Sequence, residues 1–209
     1  MNEVNYKDLT ESKTPSVKNF QDIKPSEGMT YKEAADFWTS EQKSQSAAEQ
    51  KQKYLDDNGK EFRDGDKLKP NETFTVNGYE YKTDNKGRVI SAEGPLRLKD
   101  PDYKRNMEDV KKLDSQEYNK GDQRGHLIPH QFGGSDKLEN LVPMDAKLNQ
   151  KDLAKIENTL ADAVKSGAKA DYKIEPVYKG DSRRPSEFKV TYSIDGDKEV
   201  AVFKNESRE

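Results

Sequence analysis

The chain has 209 residues and a formal charge of −3, with 30% hydrophobic and 37% charged residues. That length holds one ordinary domain plus an extension, and so little apolar material allows only a small core. The absence of cysteine excludes disulfides, thiol catalysis and Cys-ligated zinc, and with two histidines an all-protein tetrahedral zinc site would need carboxylates to complete it.

In chain order, residues 1–28 are polar, with turn formers at Pro15, Pro25 and Gly28, and read as an extended arm. The segment 1–10 lacks the basic and apolar regions of a signal peptide, and no apolar run is long enough to span a bilayer, so no membrane partner is expected. Thr30 with Glu33 forms a capping-box signature that predicts a helix over 31–55. That helix docks through Phe37 and Trp38, is polar beyond Ser40, and stops at Asp57-Asn58-Gly59. Residues 1–66 are thus expected as a polar arm and helix, a linker or pre-domain segment, ahead of one domain over 67–209. The first part holds ten Lys/Arg and fourteen Asp/Glu, a local −4, which leaves +1 for the second. Overall acidity argues mildly against a nucleic-acid binder, but this unevenness permits a local basic cleft.

From Gly65 the apolar period becomes two. It predicts strands at 73–76, 79–83 and 88–91, joined by turns at Asn77-Gly78 and at residues 84–87. Residues 100–119 are charged and irregular. Leu127-Ile128 reads as a strand end, Gly133-Gly134 opens a loop, and Leu141-Val142 gives a return strand. A helix follows over 151–166, with Leu153, Ile156, Leu160 and Val164 as its apolar stripe and Gly167 as its stop. Strands at 172–178, 188–194 and 199–203, with a turn at Asp195-Gly196, complete an α+β pattern without internal repeats.

The chemistry concentrates in residues 121–149, which hold both histidines, His126 and His130. A neutral imidazole takes a proton from water near pH 7, and an Asn carbonyl is a hard oxygen ligand suited to Mg²⁺ or Ca²⁺. Together they suggest metal-assisted hydrolysis, most directly of a phosphodiester. Pro129 lies between the histidines and breaks any helix that would align them, so they are not expected as a helical zinc pair. The order of strand with His126, loop, strand, and helix with Asn149 can bring those two residues together around one ion.

Arg124-Gly125-His126, Asn140-Leu141-Val142-Pro143, Leu148-Asn149 and Glu157, in that order, resemble the DNA/RNA non-specific endonuclease family, the ββα-metal or His-Me finger nucleases. The stretch Asn77-Gly-Tyr-Glu-Tyr-Lys-Thr-Asp-Asn-Lys-Gly-Arg-Val-Ile-Ser-Ala-Glu-Gly94 is similar to the entry strands of the subgroup found as toxin domains at the ends of secreted bacterial proteins. Residues 27–38 resemble segments that precede such domains. The main match covers roughly 73–166 and implies a ββα-metal core on an antiparallel sheet, with an N-terminal helical extension.

The resemblance implies His126 as general base and Asn149 as the sole direct protein ligand of Mg²⁺, with Mn²⁺ or Ca²⁺ as alternatives. Glu157 would hold a metal-bound water, and Arg124 would clamp a phosphate oxygen. Asn140 would fix the return strand and the orientation of His126. His130 and Arg97 are candidates for the substrate rim. One departure stands out. Many members carry an acid directly before Arg-Gly-His, where this chain has Gln123, with Asp122 one step earlier.

Singly, each residue has a plainer reading: His126 structural, Asn149 a helix N-cap, Glu157 a solvated helix residue, Arg124 and Arg97 surface cations. Their joint occurrence favours a site. The expected function is a Mg²⁺-dependent, sugar-non-specific endonuclease of DNA and RNA that reads only phosphate and so lacks sequence preference. It is expected as the toxic domain of an exported bacterial protein, acting in the target-cell cytoplasm and neutralised in the producer by a cognate immunity protein. Activity is expected to fall as pH drops through roughly 6.5. The alternatives are a non-catalytic nucleic-acid- or protein-binding module that kept the fold, and a homing- or repair-type nuclease that yields discrete fragments.

Overall fold

A computed structural model describes residues 54–101 and 117–206, together with Thr30, Lys32, Glu33, Asp36, Phe37, Thr39, Ser40, Lys43 and Ser44. In the N-terminal set, all but Thr30 are helical. The capping box is formed reciprocally: the Thr30 amide donates to Glu33 Oε2 at 2.8 Å and the Glu33 amide to Thr30 Oγ1 at 3.2 Å. Phe37, expected to dock this helix, is exposed. The arm 1–28, Trp38, residues 45–53 and residues 102–116 lie outside the described residues.

The second compact unit begins at Tyr54. Tyr54 is in a turn and Leu55 bridges to Glu61, so neither belongs to the helix predicted to reach residue 55. The reason is local. Asp56 Oδ1 accepts the amides of Asn58 at 2.9 Å and Lys60 at 2.8 Å, which closes a loop in place of a helical turn. The segment 54–66, grouped by composition with the arm, supplies a core residue. Phe62 is buried and stacks on Phe74 with centroids 4.4 Å apart, and Phe74 stacks in turn on Tyr81 at 5.6 Å.

A short hairpin, β1 (Arg63–Asp64) and β2 (Lys67–Leu68), leads into the strands β3 (Thr73–Val76), β4 (Tyr79–Thr83) and β5 (Val89–Pro95). They form one antiparallel sheet with β8 (Ala170–Tyr178), β9 (Pro185–Ile194) and β10 (Asp197–Lys204), in the spatial order β10-β9-β8-β5-β4-β3. Its inner face buries Tyr79, Tyr81, Ala92, Ile174, Phe188 and Val190. Its outer face carries Lys82, Glu93, Lys173, Glu175 and Lys189 in successive ion pairs. This alternation is what made the strands readable. Among the described residues no helix is long and apolar enough to cross a membrane.

A separate antiparallel hairpin pairs β6 (Asp122–His126) with β7 (Leu141–Asp145). A π-helical stretch, Leu148–Leu153, then runs into α1 (Ala154–Lys165), which gives the ββα order. Leu148, Leu153, Leu160 and Ala161 are buried in the core, with Ile156 and Val164 packed against it. Gly167, at φ 93°, ends the helix, and the Ala168 amide closes onto the Ala163 carbonyl at 3.0 Å.

Two anchors fix the hairpin to the sheet. Arg184 at the head of β9 grips Asp122 through two bonds of 2.6 and 2.8 Å, and the Asp122 side chain is fully buried. Asn205 accepts the Asp145 amide at 2.8 Å and donates to the Pro143 carbonyl at 3.0 Å. Asp122, whose position beside Gln123 departs from the family pattern, is thereby committed to the scaffold.

Candidate active site

His126 closes β6 opposite Leu141, and the Leu127 amide adds one further rung onto the Asn140 carbonyl at 2.8 Å. Gly125 before it leaves room for the Met144 side chain. A Cβ there would lie 2.6 Å from the Met144 side chain. Beyond it, Pro129 starts a single 3-10 turn, His130–Phe132, and the chain folds back through Gly133-Gly134. At Gly134 a Cβ would stand 1.8 Å from the Ile128 carbonyl oxygen, so the loop tolerates no side chain.

Asn140 organises this loop from inside. Its Oδ1 accepts the Ile128 amide at 2.7 Å and the Tyr81 hydroxyl at 3.1 Å. Its Nδ2 donates to the carbonyls of Ile128 at 2.8 Å and Ser135 at 2.9 Å. The side chain has no exposure at all. All four hydrogen-bonding positions of the amide are filled. Glu139 beside it is equally buried and bonds Ser135 Oγ at 2.5 Å, and burial raises its carboxyl above the ordinary range.

The fold-back delivers Asp136 to the histidines. His126 Nε2 lies 2.8 Å from Asp136 Oδ1, and His130 Nδ1 lies 3.5 Å from the same oxygen. Asp136 is only 3% exposed, while His126 and His130 keep 19% and 17%. Lys99 Nζ meets His130 Nε2 at 2.9 Å. An ammonium only donates, so that nitrogen is the acceptor. The two histidines are thus not a helical pair, as Pro129 requires, yet the loop brings them to one carboxylate. They form a set of three side chains able to hold a metal ion.

Asn149 lies inside the π-helical stretch, and its Nδ2 donates to Gln123 Oε1 on β6 at 3.0 Å. It is therefore no N-cap. The Leu148 amide is capped by Asp145 Oδ1 at 3.1 Å instead. π-Helical turns recur at functional sites. Glu157 follows in the first turn of α1, three and four residues before buried Leu160 and Ala161, so it sits on the inward flank of the helix. It makes no hydrogen bond or ion pair among the described residues, and burial alone pushes its carboxyl up to about 7. Its charge, after burial, also raises the phenol of nearby Tyr172.

That shift has a direction in stability. A raised carboxyl stabilises the fold in its protonated form, fully below about pH 4.5, and the contribution is lost as pH rises through 7. Glu157→Gln is expected to match the metal-free wild type near pH 4. At pH 8 the variant should exceed it by roughly 2 kcal/mol, with partial exposure allowed for. Urea unfolding in EDTA at both pH values reads this, and an equal difference at both would assign the effect to packing.

Arg124 is half-buried two residues before His126. The Arg97 guanidinium bonds the Asn77 carbonyl and lies 5.3 Å over the Tyr79 ring. Sequence reasoning did not single out Asp136, Lys99 or the Gln123 contact.

Residues 70–196 match the family model described as DNA/RNA non-specific endonuclease. The chain is 34% identical over 147 residues to the type VII secretion system protein EssD of Staphylococcus aureus strain USA300, and equally to that of strain NCTC 8325 / PS 47. The match covers 66% of this chain and 24% of EssD, so the chain spans about a quarter of the length of these relatives. A solved structure described as an extracellular endonuclease is 23% identical, covering 63% of this chain and 81% of that one, with a TM-score of 0.45. One described as an extracellular nuclease is 22% identical, covering 62% and 85%, with a TM-score of 0.42.

Proposed function

The chain belongs to the DNA/RNA non-specific endonuclease family, and we propose that it is a metal-dependent endonuclease that hydrolyses phosphodiester bonds of DNA and RNA without regard to sugar or sequence. The observation that carries this reading is the 2.8 Å bond between His126 Nε2 and buried Asp136. Asp136 accepts the Nε2 proton, so the lone pair of the neutral ring sits on Nδ1, where it takes a proton from the attacking water. Arg124 offsets charge on the phosphate.

The donor set around Asn149 fits a hard cation. The bond to Gln123 commits its Nδ2, which leaves Oδ1 as the ligand atom, and the uncompensated Glu157 carboxyl is a natural acceptor for a metal-bound water. Mg²⁺ held there, with Mn²⁺ or Ca²⁺ as alternatives, would supply positive charge beside the scissile phosphate. Asn140 holds the loop that carries Asp136, and His130 lines the rim.

Likeness to a protein described as part of a type VII secretion system supports the wider reading. On it, the compact unit from Tyr54 onward is the toxic domain of an exported protein that acts in the target-cell cytoplasm, the residues before it are its linker, and the producer holds an immunity protein. End-labelled DNA and RNA of defined sequence test the chemistry. Cleavage at every phosphodiester, on both substrates, is expected. Discrete fragments would place the chain among homing- or repair-type nucleases, and salt-sensitive binding without cleavage would make it a binding module.

A further inference from the structure

His126 and His130 are the only two histidines of the chain, and both meet the same buried carboxylate. One ring nitrogen of each and one oxygen of Asp136 lie within 4.8 Å of one another. Two imidazole nitrogens and a carboxylate form a borderline donor set that suits Zn²⁺, Co²⁺ or Cu²⁺, whereas the oxygens of Asn149 and Glu157 suit Mg²⁺. We propose that His126, His130 and Asp136 form a second metal site, for a divalent transition ion, whose occupation switches cleavage off. The inhibitory half rests on His126 being the base; the binding half does not.

Inhibition follows from proton counting. A neutral imidazole carries one proton. An ion on Nε2 of His126 needs a lone pair there, so the single proton shifts to Nδ1 and the lone pair that would accept a proton from water is gone. No proton is gained or lost at the ring. The spacings are close to what an ion needs. Two ligands on a tetrahedral ion stand about 3.3 Å apart, against 2.8 Å and 3.5 Å for the two His–Asp136 pairs. The two histidine nitrogens lie within 4.8 Å of one another, so the rings must close up around an ion, and the residual exposure of both histidines admits a water as fourth ligand. Lys99 opposes the ion. With Nδ1 of His130 bound, the proton sits on Nε2, facing an ammonium now at 2.9 Å. Lys99 must then turn away, so it sets a threshold for occupation.

The test titrates the full chain with Co²⁺, read by visible absorption, and with Zn²⁺ by calorimetry in excess Mg²⁺. One ion per chain is expected. Asp136→Asn and His130→Ala should each weaken binding at least roughly tenfold, Asn149→Ala should leave it unchanged, and Lys99→Met should tighten it. Plasmid cleavage by the wild type in Mg²⁺ should fall in step with Zn²⁺ occupancy. Equal binding in Asp136→Asn and His130→Ala, both verified as folded by circular dichroism, would overturn the site, as would loss of binding in Asn149→Ala. Full occupancy with undiminished cleavage would overturn the inhibition. A chain that never cleaves, even in Mg²⁺ alone, would instead count against the nuclease reading, while the binding data still decide the site.

Discussion

His126→Ala is expected to lower the rate of phosphodiester cleavage by roughly 10²- to 10⁴-fold, the usual range for loss of a positioned general base. The alternative role, a phosphate contact on the rim, would weaken substrate binding and leave the turnover rate close to normal. Magnitude and parameter therefore separate the two. The substitution also strips a partner from nearly buried Asp136. That costs about 1–3 kcal/mol of stability, so rates are to be compared at a temperature where circular dichroism shows the variant folded. The same assignment requires a neutral ring, so wild-type turnover should fall in acid once the ring is protonated. A rate flat from pH 5 to 8, or a variant within tenfold of wild type, would remove His126 as the base.

Asn140→Ala should produce the largest loss of stability. It leaves the amide and carbonyl of Ile128 and the carbonyl of Ser135 to find new partners in a region closed to water. Each buried group left unsatisfied costs about 1–3 kcal/mol, and with partial relaxation the sum is roughly 3–5 kcal/mol. Asn140→Asp should do no better, because an oxygen would then face two carbonyl oxygens at Nδ2's position. Urea unfolding measures both. A loss under about 1 kcal/mol for Asn140→Ala would show that the loop rearranges and is not held by this side chain. The loop between Ile128 and Asn140 delivers Asp136, so cleavage should decline together with stability in both variants.

What could be read from the sequence follows from how local each signal is. The strands 73–76 and 79–83 alternate within themselves and are punctuated by Asn77-Gly78, so they needed no tertiary information. The order of Arg124-Gly125-His126, Asn140 and Asn149 along a hairpin and helix was legible for the same reason. Asp136 was not. After Gly133-Gly134-Ser135 an aspartate reads as a turn residue, and only the fold-back onto Asn140 buries it beneath the histidines. Lys99 reaches His130 across 31 residues, through no local pattern. The helix start was misplaced to residue 151 because Asp145 caps Leu148 three residues on, so that Asn149, which looked like the cap, lies within the π-helical stretch. Phe62 was hidden by its charged neighbours Glu61, Arg63 and Asp64.

The most direct measurement is incubation of the purified chain with supercoiled plasmid in Mg²⁺ and, separately, in EDTA. Conversion to nicked, linear and then degraded DNA in Mg²⁺ alone is the expected result. Intact plasmid in both lanes, from protein whose fold circular dichroism confirms, would contradict a metal-dependent nuclease.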